Sequence, residues 1–412
     1  MINGILCWGI MKNLILRYRK ILFPAVTLLV SLGCTLVGTE FALRYLEQRL
    51  MHNEPDLNRV ISNEFGAGGI LKKNVDENVM DSFGNKVSWI NNSDGFRSDK
   101  EYSQKPDPST LRILSLGDSF TSGYRIGQDE TFSFLMEKWI ERKFGKAEVM
   151  IAWTEQPGRV LNYMEEFGQH YHPDAVFLGI TMSNDITSNY STKPGLNYWD
   201  DLHSWEVSND CLIKRNLLED VKWSAIFIYS RLRFVGLFYD QPRAVSSRHK
   251  AYIKPKLFDT DHALGYFLKA PPPVVDEAYD YLFFKILELK KFLDARNIDL
   301  IVSIFPQRFQ VALKDWESAV YQYGLKESCF DRMRPNKLFN VFCAKNDVFC
   351  IDGTPMLKQI HMRDKAQLYQ PRGDTHWNAL GNKMFFESIR PSLQNYLEEY
   401  KGKYWSYLTV SP

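Results

Sequence analysis

The apolar positions of this chain change period several times, and each change marks an element. Leu111 to Leu116 is a strand-length apolar run that stops at Gly117, Asp118 and Ser119, residue types that end strands. Beyond it, Phe132, Leu135, Met136, Trp139 and Ile140 keep the spacing of one helix face. That helix should be capped by Asp129 and Glu130 and closed by Gly145. Val149 to Ala152 predicts a second strand, Gln156 to Arg159 a turn, Arg159 to Tyr171 a helix, and Asp174 to Ile180 a third strand. The pattern breaks from Ser188 to Pro273 and then resumes. A helix is expected over Asp276 to Arg296, strands over Asp299 to Phe305 and Asp347 to Ile351, and a last helix from Asn378. Strands alternating with helices imply an α/β fold with a mostly parallel sheet.

The N-terminal pattern is different. Ile21 to Thr39 carries no charge and is long enough to cross the hydrocarbon layer as a helix. Lys12, Arg17, Arg19 and Lys20 precede it, whereas Arg44 and Arg49 behind it are balanced by Glu40 and Glu47. The basic excess predicts a cytoplasmic segment over 1–20, a transmembrane helix over 21–43, and a remainder outside the cytoplasm, periplasmic or at the cell surface. A cleaved leader, a lipid attached at Cys34 and a buried core helix are the alternatives. Residues 44–108 read as a stalk and leading region, rich in Asn, Gly, Asp and Ser after residue 53 and containing Asn92-Ser93-Asp94-Gly95-Phe96-Arg97. By itself that stretch is a hairpin turn. The main domain is expected over 109–400, with an insertion at about 188–273. The apolar stretch inside the insertion is bounded by Lys222 and Arg231, too closely for a second span.

Fifty-one basic and 49 acidic residues nearly cancel, and no basic run alternates with aromatics, which argues against a nucleic-acid partner. Trp153, Tyr163, Tyr190, Tyr198, Trp199, Trp205 and Trp377 lie near the candidate site segments around Gly158, Asn184 and His376. They read first as core and loop packing, and second as faces for sugar rings. Cys211, Cys329, Cys343 and Cys350 form an even set outside the N-terminal segment, compatible with disulfides. Cys343 and Cys350, which bracket a turn, are the expected pair. No Cys/His pattern suggests zinc, and His170-Tyr171-His172 reads as a solvated loop.

Ser119 sits at a strand exit, where the sheet holds the backbone and the side chain can meet a ligand. A serine hydroxyl needs an adjacent base to become a nucleophile. His376 is the candidate, because it comes after a Pro/Gly loop and directly precedes a helix. Asp374 can orient it, or a Ser–His pair can act without Asp374. Asp118-Ser119, Gly158, Ser183-Asn184-Asp185 and Asp374-Thr375-His376, in that order, resemble the GDSL (SGNH) hydrolase family. The resemblance runs from about Asn85 to about Leu397, and it includes the Asn92 to Arg97 stretch, which resembles a segment preceding the first strand in anchored members.

The resemblance implies a three-layer α/β/α sandwich around a mostly parallel five-stranded sheet of flavodoxin-like type. Ser119 would be the nucleophile, His376 the base and Asp374 its orienting group. The oxyanion hole would be the backbone N–H groups of Ser119 and Gly158 and the side-chain amide of Asn184, with Asp185 anchoring its loop. Two departures stand out: Asp374 precedes His376 by two residues where the family has three, and Met182 stands where the family has Gly. The implied activity is that of a serine esterase or O-acyltransferase without metal or cofactor. Its favoured substrate is O-acylated exported carbohydrate. A lipid esterase or thioesterase, and a catalytically silent glycan-binding assembly protein, are the alternatives.

Overall fold

The computed structural model describes residues 26–28, 30–35, 37–39, 41–42, 60–66, 69–81, 85–182, 184–194, 205–206, 211, 213–214, 264–323, 326–370 and 375–404. The chain divides into two compact units, residues 1–54 with 221–249, and residues 55–220 with 250–412. In the first, residues 26–28, 30–35, 37–39 and 41–42 are helical, and Val26, Leu28, Val30, Leu32, Val37 and Phe41 are exposed. Among the described residues no helix is long and apolar enough to cross a membrane. Residues 21–25, 29, 36, 40 and 43 of the expected span lie outside the described set, as does the apolar stretch of the insertion.

The second unit opens with two hairpins, β1 (Ile61–Gly66) with β2 (Gly69–Leu71) and β3 (Val75–Met80) with β4 (Lys86–Asn91). The alternating part comes next: β5 (Leu111–Gly117), α1 (Ser119–Ser122), α2 (Phe132–Lys143), β6 (Ala147–Trp153), α3 (Pro157–Glu166), β7 (Ala175–Thr181) and α4 (Asn184–Tyr190). A two-residue hairpin, β8 (Trp205–Glu206) with β9 (Ile213–Lys214), lies in the insertion. The rest is α5 (Pro273–Asp294), β10 (Asp299–Phe305), α6 (Arg308–Val311), α7 (Leu313–Tyr323), α8 (Arg334–Asn346), β11 (Phe349–Asp352), α9 (Thr354–Asp364) and α10 (Ala379–Tyr404).

The central sheet is parallel throughout, in the order β11-β10-β7-β5-β6. Alternate strand residues face opposite layers. Leu114, Leu116, Val176, Leu178 and Val302 pack with α3, α5 and α8, whereas Ile113, Val149, Phe177 and Ile301 pack with α2, α9 and α10. Coverage on both faces explains why all seven residues of β5 are buried. Arg112 tolerates this because its guanidinium pairs with Glu148 and donates to the carbonyls of Ser103 (2.8 Å) and Tyr171 (2.6 Å). Numbered within the sheet, the strands run 2-1-3-4-5, so the order reverses between β5 and β7. The carboxyl ends at such a reversal form the crevice where open α/β sheets bind ligands.

Several expected boundaries move. Helix α2 starts at Phe132, because the Thr131 hydroxyl accepts the Phe134 N–H (3.2 Å); Asp129 and Glu130 belong to a separate 3-10 turn. Helix α3 starts earlier than Arg159, with Pro157 in its first turn, where no N–H partner is needed. The expected disulfide is present, Cys343–Cys350 with Cα atoms 6.1 Å apart. A second one, Cys211–Cys329 (5.8 Å), ties the insertion to the segment before α8.

Candidate active site

The site is built from the loops and helix starts at the carboxyl ends of the strands around the reversal. After β5, Asp118 caps the one-turn helix α1, its carboxylate accepting the Phe120 N–H at 2.9 Å. Gly123 ends the turn at φ 70°, ψ 56°, a left-handed conformation that a residue without Cβ adopts freely. Ser119 is thereby held at the start of a turn fixed at both ends. Its Oγ lies 2.7 Å from His376 Nε2, a contact between residues 257 apart in sequence.

The backbone around His376 is held by pairing with Leu368, Tyr369 and Gln370. Tyr369 and Trp377 form an antiparallel bridge, Gln370 N–H donates to the His376 carbonyl (2.8 Å), and Asn378 N–H donates to Leu368 O (3.0 Å). Asn378 also caps the helix behind it, accepting the Gly381 N–H at 2.8 Å. The imidazole lies between the rings of Phe120 (4.9 Å) and Tyr124 (4.6 Å), and buried Trp377 packs against Phe120, Phe305 and Phe385. A strongly packed neighbour residue thus sets where the histidine can point.

After β6 and β7 come Gly158 and Asn184. Gly158 lies in the first turn of α3, and a Cβ there would fall on Oδ1 of Asn189, a buried residue of α4. The Asn184 side chain donates to the second oxygen of Asp118 at 3.3 Å. One buried carboxylate therefore holds both the serine turn and the Asn184 amide. Burial raises the Asp118 carboxyl above its ordinary range, while the Phe120 N–H, the His376 charge and Asn184 pull it back. Asp185 is buried, accepts the Thr181 N–H at 2.7 Å, and so ties its loop as expected. Its carboxyl is pushed well up, first by burial and then by the neighbouring Asp118 charge.

Ser119, Gly158, Asn184 and His376 are all half-buried at one end of the sheet, the first and last in direct contact. Asp374 and Ser183 lie outside the described residues. Met182 is buried. Of the aromatic residues, Tyr163, Tyr190 and Trp377 are buried and Trp153 partly so, which is packing. Tyr198 and Trp199 lie outside the described residues. His170 and His172 are exposed, and among the described residues no three His, Cys, Asp or Glu side chains could hold a metal ion.

No family model matches the chain, and comparison with curated proteins finds no relative. Among solved structures it is similar to TesA, with 8% identity over 69% of this chain and 99% of that one, at a TM-score of 0.34. It is similar to the acetyl xylan esterase AlAXEase, with 13% identity over 68% and 99%, at 0.36. A GDSL-like lipase from Bacteroides thetaiotaomicron is similar at 10% identity over 71% and 92%, at 0.33. The last bears the family name that the motif order resembles. All three TM-scores are below 0.5, so the reading of the site rests on its own geometry.

Two residues of the site neighbourhood carry no sequence signal for the part they play. Asn189 belongs to no motif, because its relation to Gly158 exists only once α3 and α4 are packed together. Arg97 belongs to a stretch that reads as a turn, yet its guanidinium reaches the backbone of the serine turn 25 residues on.

Proposed function

We propose that the chain is a serine acyl hydrolase that attacks ester-linked acyl groups through Ser119. The observation that carries this reading is the 2.7 Å approach of Ser119 Oγ to His376 Nε2 at the sheet's reversal point. With Nδ1 protonated, Nε2 accepts the serine proton as Oγ bonds to the acyl carbon, an effect of about 10²–10⁴-fold for a well-placed base. The resulting oxyanion meets the N–H groups of Ser119 and Gly158 and the Asn184 amide, each such donor being worth roughly 3 kcal/mol. The imidazolium then gives its proton to the leaving alkoxide, and the C–O bond breaks to leave an acyl-serine. Water, or an acceptor hydroxyl in a transferase, attacks that ester with His376 again as base. Asp374 is assigned to hold His376 Nδ1.

O-acetyl groups on exported carbohydrate are the favoured substrate. Tyr124, half-exposed beside the His376 ring, supports this by offering an aromatic face next to the base. Residues 21–43 are proposed as a membrane anchor with the catalytic domain outside the cytoplasm. The uncharged run, the exposed apolar side chains around Leu28 and Leu32, and two disulfides support it.

Turnover of an aryl acetate by the full chain tests the activity. Ser119→Ala should abolish it without changing the melting temperature, and retained turnover would refute the assignment. A sharp fall in rate from acetyl to octanoyl esters is expected, and the opposite preference would point to lipid. A reporter fused after Pro412 should be active only outside the cytoplasm.

A further inference from the structure

Arg97 is 1% exposed, and among the described residues no carboxylate lies within ion-pair distance of it. A buried cation without a counter-ion persists only where other groups replace its water. Here three backbone carbonyls do so. Its Nη1 donates to Ser122 O and, at 2.6 Å, to Gly123 O, and its Nη2 donates to Ile126 O at 2.5 Å. The guanidinium lies on the face of Trp89, 3.9 Å from the ring centroid. Burial lowers the Arg97 pKa to about 9, partly offset by Glu130 and Asp129, so the side chain stays charged at neutral pH.

Those carbonyls are the C-terminal end of α1 and the turn after it. Helix termini leave carbonyls unpaired and carry partial negative charge, and a one-turn helix has little stability of its own. The support behind Arg97 is anchored separately. Asn92 Oδ1 accepts the Asp94 and Phe96 N–H groups (3.1 and 3.0 Å), and its amide donates to Lys100 O (2.9 Å). Phe96 packs against Tyr102, Phe167 and Tyr171, and Arg97 N–H donates to Ile151 O of β6 at 2.9 Å.

We infer that Arg97 is a positioning residue that clamps the C-terminal end of the Ser119 turn, so that the Asn92 to Arg97 segment sets the direction of the nucleophile. The inference rests on the reading of Ser119 as nucleophile. Arg97 donates to the backbone carbonyls of the turn and not to Ser119 Oγ; it acts through the backbone that carries the serine.

The test uses the full chain and Arg97→Lys, which keeps the charge and loses the planar fork. Two readouts are taken: kcat and KM on an aryl acetate, and amide hydrogen exchange over residues 119–126. Leu397→Ala, at a buried position of α10, is the control for a general loss of stability. We expect kcat to fall at least tenfold in Arg97→Lys with KM within twofold, and exchange to accelerate over 119–126 but not over α5. Leu397→Ala should lower the melting temperature and spare kcat. An unchanged kcat, or losses no different from those of Leu397→Ala, overturns the inference. Unaltered exchange over 119–126 overturns the clamp whatever the esterase assay gives. If the wild type hydrolyses no ester, it is the reading of Ser119 that fails, and exchange still decides the clamp. Should Arg97→Lys not fold, Trp89→Phe, which trims the platform under the guanidinium, takes its place. It should lower kcat severalfold and speed exchange over 119–126, and no change in either overturns the inference.

Discussion

Ser119, Gly158, Asn184 and His376 are half-buried, while Asp118, Asp185 and Asn189 behind them are buried. The outer four can meet a ligand; the inner three set where the outer ones point. Gly158 shows the dependence most directly, because a methyl group there would fall on Asn189 Oδ1 in a packed interior. Gly158→Ala should therefore destabilise the fold by roughly 1–3 kcal/mol and depress turnover. Asn189→Ala in the same chain should restore most of the stability, since it removes the obstructing atom. Denaturant melts of the single and double variants decide this, and additive losses would argue against the contact. Asp185 carries a pH signature. Its carboxyl binds protons more tightly folded than unfolded, so its contribution to stability is complete below about pH 4 and is lost as pH rises toward the raised folded value. Asp185→Asn keeps an oxygen for the Thr181 N–H and cannot ionise. The variant's melting temperature should therefore gain on the wild type between about pH 5 and pH 8, and a constant gap over that range would contradict the assignment.

At the scale of elements, the two disulfides close loops of very different length, with separations of 7 residues for Cys343–Cys350 and 118 for Cys211–Cys329. On the loop-entropy account, removing the short one should cost about 2 kcal/mol and the long one about 5 kcal/mol. Denaturant unfolding of the paired Cys→Ser variants checks the order, and a larger loss at Cys343–Cys350 would reverse it. The strands were the readable elements. Asp299 to Phe305 matches β10 residue for residue, because a central parallel strand is an unbroken apolar run between turn residues. Helix starts were less readable. Asp129-Glu130 looks like a cap, but the Thr131 hydroxyl takes that role two residues later, and both sequences suit a helix N-terminus. The resemblance marked the Asn92 to Arg97 stretch but not what Arg97 does there, since a charged residue in a Gly-Phe-Arg turn ordinarily faces water.

For the molecule as a whole, the order of the blocks along the chain becomes proximity only through the sheet. Ser119 and Asn184 come after neighbouring strands β5 and β7, Gly158 comes after β6 on the other flank, and His376 arrives from beyond β11 on a loop braced by Trp377. The five strands were legible because each is an apolar run that ends in turn residues, whereas Ser119 and His376 were named as partners through the resemblance carried by the order of the motif blocks. The carboxylate that organises the site was not legible as such: Asp118 reads as a turn residue, and its hold on Asn184 spans 66 positions. The central claim is that Ser119 is the nucleophile, and a fluorophosphonate tests it most directly, because the reagent reacts far faster with a serine whose proton a neighbouring base can take than with other side chains. Mass spectrometry of the labelled full chain should find one adduct, on the peptide bearing Ser119, and none in folded Ser119→Ala or His376→Ala. Folded wild-type protein that takes up no reagent, or an adduct that persists in Ser119→Ala, would contradict the account.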